Sequence, residues 1–343
     1  MKKLLLATIL AIPAMGYCGF IDWLTGYPEV KEKIEQGLEK KYNGEKFEVS
    51  GVSYSSNLGG YNFYFVPKDN PDDEYGGSYY PDSGVLAANG YMWSSVGKQW
   101  RAMVEPEVAK LSNDYLLMGG MGSRSPRVED ENSHEGLDIV NKVLSDLFDG
   151  MSTQEWIAKD HNYIAGNIQI YIDMPKNAES VFKLLKLVKN INDKYQRMQL
   201  NEYYIKLNVF KFPKDFEGLE KYWDYHSKHV YTSTADFPTD YNLQKYIWLE
   251  SRINGCPKTN RVLKYCNTQY GQKNEEKRKE QVAYLTLGNR LSTLDDIVKQ
   301  FRYYPKTSYK KYGNLKLLKD DSISFTQSPY WSQVQTLINQ GDK

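Results

Sequence analysis

YIAGNIQIYIDMPKNAESVFKLLKLVKNINDKYQRMQLNEYYIKLNVFKF, residues 163–212, decides the fold. From Tyr163 to Met174, Ile164, Ile168, Ile170 and Ile172 fall on alternate positions, the period of a strand with one apolar face. Asn177 then stands where a helix cap is needed. Val181, Leu184, Leu185 and Val188 recur at helical spacing, and Lys183, Lys186 and Lys189 fall largely on the other face. Tyr203, Ile205, Leu207 and Val209 restore the two-residue period, alternating with Tyr204, Lys206 and Asn208. Strand–helix–strand is either a parallel crossover or half of an α+β sandwich. The long polar loops elsewhere in the chain favour the α+β class.

Toward the N-terminus, residues 28–43 predict a helix opened by Pro28, with Val30, Ile34 and Leu38 on one stripe and Glu29–Lys33 as an i,i+4 pair beside it. Phe47, Val49 and Val52 form a β-like run. Asn57-Leu58-Gly59-Gly60 is a turn, and Tyr61 to Val66 is the second strand of a hairpin. The run KIEQGLEKKYNGEKFEVSGVSYSS (33–56) with YNFYFVPKDNPD (61–72) resembles a PepSY-like module, a small helix-and-hairpin unit of exported proteins. The resemblance covers residues 28–68 and implies binding or inhibition of partner proteins. Residues 68–90 and 119–136 read as long loops. A helix is predicted around 94–111, a short strand at Tyr115 to Met118, a helix from Leu137 to Phe148, and a short helix after Ser152-Thr153-Gln154-Glu155, which has capping-box spacing.

After Phe212 the two-residue period fades. Residues 240–254, 274–288, 292–303 and 329–340 read as helices, the last two started by Ser292-Thr293-Leu294-Asp295 and Ser328-Pro329. The expected fold is therefore α+β: a mixed sheet with helices in the N-terminal two thirds (17–212), and a mainly helical C-terminal third (213–343), with a soft boundary near 213–240.

Residues 1–16, MKKLLLATILAIPAMG, have the order of an export signal. Lys2 and Lys3 precede an apolar segment from Leu4 to Met15, and Ala14 and Gly16 are small residues suited to cleavage before Tyr17. Cys18 resembles the lipidated cysteine of bacterial lipoproteins, except that Tyr17 stands where a small residue is wanted. In an oxidising compartment, Cys256 and Cys266 are expected to pair and staple a loop of about ten residues, worth roughly 2–3 kcal/mol. The expected location is the periplasm or outside the cell. No later segment is apolar enough to span a membrane. At 343 residues, 25% charged and with a net charge of +1, the chain is globular and is not held on nucleic acid by bulk charge.

No catalytic motif stands out, and none calls for a cofactor. Asp224, His226 and His229 are the weak metal candidates, lacking both a third strong ligand and an intervening glutamate. Gly119-Gly120-Met121-Gly122 lacks the spacing of a phosphate loop. The acidic groups at Asp69, Asp72, Asp73 and Glu74, and at Glu129 to Glu135 with His134, read as solvated loops. Residues 299–319 carry seven basic and no acidic residues. Tyr303, Tyr304, Tyr309, Lys310, Lys311 and Tyr312 are the candidate binding residues there, interleaving rings and charges. With 29 tyrosines in the chain, two readings remain. The first is a non-catalytic exported protein that binds a protein or envelope polymer, possible roles being inhibitor or immunity-like protein. The second is an envelope hydrolase or glycan-binding protein, with Glu105, Glu107 or Glu135 as acid/base groups and tyrosines stacking on sugars.

Overall fold

The computed structural model describes residues 26–42, 44–123, 164–200, 202–229, 241–257, 275–313 and 315–341. The chain divides into two compact units, one of Met1–Ser95 with Asp138–Ser152, the other of Val96–Leu137 with Thr153–Lys343. The export signal, Cys18, Glu135, Cys266 and the helices predicted between 137 and 155 lie outside the described residues.

In the first unit, α1 (Pro28–Lys41) buries Ile34 and Leu38 against a four-stranded antiparallel sheet. The strands are β1 (Phe47–Ser55), β2 (Gly60–Pro67), β3 (Tyr75–Tyr80) and β4 (Val85–Ala87), in that order. Phe47, Val49, Phe63 and Phe65 fill the helix-facing side, while Tyr64 and Val85 face outward. The stretch 68–90, expected to be loop, contains β3 and β4. Tyr75–Tyr80 gives no apolar period because Gly77 sits where a side chain would stand: a Cβ there would come within 2.4 Å of the Phe63 ring. The glycine is what lets β3 pair closely with β2.

The second unit begins within α2 (Asn89–Ala102), followed by α3 (Glu105–Ala109), β5 (Tyr115–Ser123), β6 (Ile164–Asp173), α4 (Ala178–Arg197) and β7 (Glu202–Phe210). Asn177 caps α4 as predicted, its Oδ1 accepting from the Ser180 amide at 2.8 Å. The parallel crossover is the correct alternative: β6 and β7 pair in parallel, with Ile168 opposite Ile205 and Ile170 opposite Leu207. The order β12-β9-β8-β7-β6-β5 makes a six-stranded mixed sheet, every other pair being antiparallel. α4 packs on the apolar face with ten of its residues buried.

The C-terminal third is not mainly helical. After α5 (Leu219–His229) and the short α6 (Tyr241–Gln244), the expected helix 240–254 is replaced by β8 (Ile247–Gly255). Then come α7 (Glu275–Leu285), α8 (Leu294–Val298), β9 (Phe301–Tyr303), the hairpin of β10 (Tyr309–Tyr312) with β11 (Leu315–Leu318), β12 (Ile323–Ser324) and α9 (Trp331–Gly341). β8 is buried along nearly its whole length. Its start, Ile247-Trp248-Leu249, is a short apolar run that periodicity cannot tell from a helix, and the alternation of Glu250, Arg252 and Asn254 after it is brief. β9 and β12 are too short to carry a period. Strands from both sides of residue 213 share this sheet. The glycine run 119–122, expected as loop, is the second half of β5.

Candidate functional site

The two faces of the six-stranded sheet differ in chemistry. Paired residues share a face, so the register alone sorts them. Ile170, Leu207, Ser251 and Phe301 form one row on the α4 side, with Ile168, Ile205 and Ile253 beside it. On the opposite side the matching rows are polar: Tyr171, Asn208, Glu250 and Arg302; then Gln169, Lys206 and Arg252; then Asn167, Tyr204 and Asn254. At one end this side is closed by an apolar cluster that includes Phe210, Phe212, Leu219, Leu243 and Tyr304. Toward the other end it opens.

Charges on the polar side are close and partly buried. Glu250 pairs with Arg252 at 3.6 Å, its side chain only 10% exposed against 57% for Arg252. Lys206 stands directly opposite Arg252. Burial, and then the charge of Arg252, push the Lys206 ammonium below its ordinary range. Burial likewise pushes the Tyr204 hydroxyl up. Tyr171 donates to Gln169 at 2.7 Å. Among the described residues, the amide nitrogens of Asn208 and Asn254 find no hydrogen-bond partner. A buried donor left in this condition costs about 1–3 kcal/mol.

At the open end lies a cavity of about 520 Å³, lined by Asn167, Glu202, Tyr204, Asn254, Gly255 and Tyr284 among others. Tyr284 projects from α7 and is 55% exposed. The wall behind it is held firmly. Tyr203 donates to Asn192 at 2.7 Å, Asn192 donates to the Gly288 carbonyl at 3.1 Å, and Asn289 donates to the Cys256 carbonyl at 2.6 Å. Gly255 is required here, because a Cβ would lie 2.0 Å from the Tyr203 ring. The arrangement offers rings, amides and a carboxylate around a concave space on a rigid support, which is the composition of a site for a polar ligand.

The candidate residues read from the sequence scatter. Tyr303 and Tyr304 are buried, 5% and 3% exposed, Tyr303 against Tyr330 and Tyr304 in the apolar cluster. Tyr309 is 42% exposed on β10, with the Lys316 ammonium 5.1 Å over its ring. Lys310 and Lys311 are exposed beside it, and Tyr312 ends the same strand. The basic stretch is thus split between core and surface. Asp224, His226 and His229 lie along α5, and the side chains of the two histidines are outside those described. Among the described residues no group of three His, Cys, Asp or Glu is placed to hold a metal ion. Cys256 is buried beside Val282 and Leu285. Glu105 accepts from Tyr115 at 3.0 Å and Glu107 lies 3.8 Å from Lys194, Glu107 in a separate open groove of about 460 Å³ with Asp193 and Arg197.

Sequence reading missed Glu250, Arg252, Asn254 and Tyr284. The alternation of Tyr204, Lys206 and Asn208 was the available signal, since it marks a polar face on a central strand. No family model matches the chain, and no curated protein does. Among solved structures, a DUF5037 family protein from Ruminococcus gnavus ATCC 29149 matches at 19% identity over 66% of this chain and 90% of that chain, with a TM-score of 0.33. A likeness of that degree carries no argument about function.

Proposed function

We propose that this is an exported protein that binds an envelope polymer, taking a saccharide segment into the cavity at the open end of the six-stranded sheet. The observation that carries this reading is the set Tyr204, Tyr284, Asn167, Asn254 and Glu202 around one concave space. A sugar ring presents apolar C–H faces and a rim of hydroxyls. Aromatic rings suit the former, while amides and carboxylates suit the latter. The unpaired Asn254 donor gains a partner when a hydroxyl arrives. The order of residues 1–16 supports export, and the expected Cys256–Cys266 bridge belongs with it.

Titration calorimetry of the full mature chain against neutral and acidic envelope oligosaccharides tests the reading. Saturable one-to-one binding is expected with at least one of them. Replacing an exposed stacking ring, Tyr284→Ala, should weaken it about tenfold, the upper end of what a ring contact contributes. Binding that survives Tyr284→Ala and Tyr204→Ala unchanged would place the ligand elsewhere and end this proposal.

A further inference from the structure

Resting on the saccharide reading, and naming the class of sugar, we infer that the bound segment carries an anionic group, a carboxylate or a sulfate ester, held between Lys206 and Arg252. The two cations are cross-strand partners on the polar side of the sheet. Like charges directly opposite one another work against the sheet that holds them. The arrangement persists although the neighbouring acid, Glu250, is committed to Arg252 at 3.6 Å. Among the described residues no carboxylate forms an ion pair with Lys206. An anion between the two side chains would relieve the repulsion and bring Lys206 a counter-charge nearer than Glu250, which is paired with Arg252.

The position relative to the cavity gives the inference its chemistry. Tyr204 and Asn254 line the cavity, and Lys206 and Arg252 are the next residues along β7 and β8 on the same side. Two residues along a strand span about 7 Å, so a charged substituent on a ring seated in the cavity reaches the pair. The Arg252 side chain is 57% exposed, and a guanidinium is a planar fork that matches a carboxylate or sulfate in two parallel hydrogen bonds. Lys206 supplies a compact, partly buried charge from the facing position on β7. Arg302 lies one row further and is spoken for by Ser322, at 2.8 and 2.9 Å, which leaves the Lys206–Arg252 pair as the receptor.

The test compares tetragalacturonate with its methyl ester, and a sulfated tetrasaccharide with its unsulfated parent, by calorimetry on the full chain. Inorganic sulfate is a further probe. One of the charged sugars should bind at least tenfold more tightly than its neutral counterpart. That preference should fall to threefold or less in Arg252→Gln, and likewise in Lys206→Met, while both variants keep wild-type circular dichroism. Which charged sugar wins distinguishes carboxylate from sulfate. Equal affinity for charged and neutral sugars, unaltered by either substitution, overturns the anionic inference and leaves the saccharide reading standing. Sulfate binding that depends on Arg252, without binding of any sugar, supports the anion pair and overturns the saccharide reading. If neither sugars nor sulfate give an Arg252-dependent signal, the inference fails.

Discussion

Lys206 concentrates the account at the scale of one residue. It lies on a central strand, its charge penalised by burial first and by Arg252 second. Its folded-state value lies below that of the unfolded chain, so between the two the unfolded state binds more protons. The penalty is therefore fully present at neutral pH and is lifted as pH rises toward the usual lysine range near 10.5. Lys206→Met should raise the stability at pH 7 by about 0.5 kcal/mol, the scale of an opposed like-charge pair. The gain should shrink in urea unfolding at pH 10, where Arg252, Glu250 and Tyr204 are the charged or titratable groups around it. A variant less stable than wild type at pH 7 would show that Lys206 is structurally supported instead of held in reserve for a ligand. Gly255→Ala should cost about 1–3 kcal/mol in the same assay, because its Cβ meets Tyr203 at 2.0 Å, and should abolish ligand binding as Tyr203 is driven off its hydrogen bond to Asn192.

The elements divide by how openly their chemistry shows in the sequence. α4 was legible down to its cap, since a long amphipathic helix flanked by alternating strands has no competing reading. Asn177→Ala should cost about 1 kcal/mol in urea unfolding. A helix start at Ser292-Thr293-Leu294-Asp295 was legible for the same local reason; Thr293 is the cap, in a reciprocal box with Asp296, but the helix ends at Val298 and residues 301–303, expected to belong to it, are β9. β8 was not legible. It opens on Ile247, Trp248 and Leu249, all buried, an apolar run that fits a helix as well as a strand, and the alternation of Glu250, Arg252 and Asn254 with Ser251 and Ile253 that follows is short. Misreading it concealed Glu250, Arg252 and Asn254, one member of each polar row. β3 and the second half of β5 were hidden by glycines, which hold a strand without signalling one; the first half of β5, Tyr115 to Met118, was read as a strand. Amide exchange checks the assignment of β8: the amides of 249–253 should be among the slowest in the chain, in the pattern of paired strands. Fast exchange there would contradict the central strand.

At the scale of the whole molecule, the near-zero net charge conceals local arrangement. The basic run 299–319 is not one surface. Its first tyrosines complete the core, while its lysines, Lys299, Lys306 and Lys319 as well as those of the Tyr309–Leu318 hairpin, are exposed. The tyrosine excess likewise serves several ends: Tyr171, Tyr195 and Tyr203 are core residues, while Tyr204 and Tyr284 line the cavity. The tyrosines singled out from the sequence are thus divided, Tyr303 and Tyr304 in the core and Tyr309 on the surface. The proposal of export carries its own check, because the mass of the secreted chain should correspond to a start at Tyr17. A chain that keeps residues 1–16 would contradict it. The central claim is that a saccharide occupies the cavity beside β7 and β8. Ring resonances of ¹³C-tyrosine-labelled protein, assigned by single Tyr→Phe substitutions, should report it directly. On adding the oligosaccharide that calorimetry selects, the Tyr204 and Tyr284 signals should shift with saturation while those of Tyr64 and Tyr309 stay in place; movement of Tyr64 or Tyr309 with Tyr204 and Tyr284 unmoved would contradict the account.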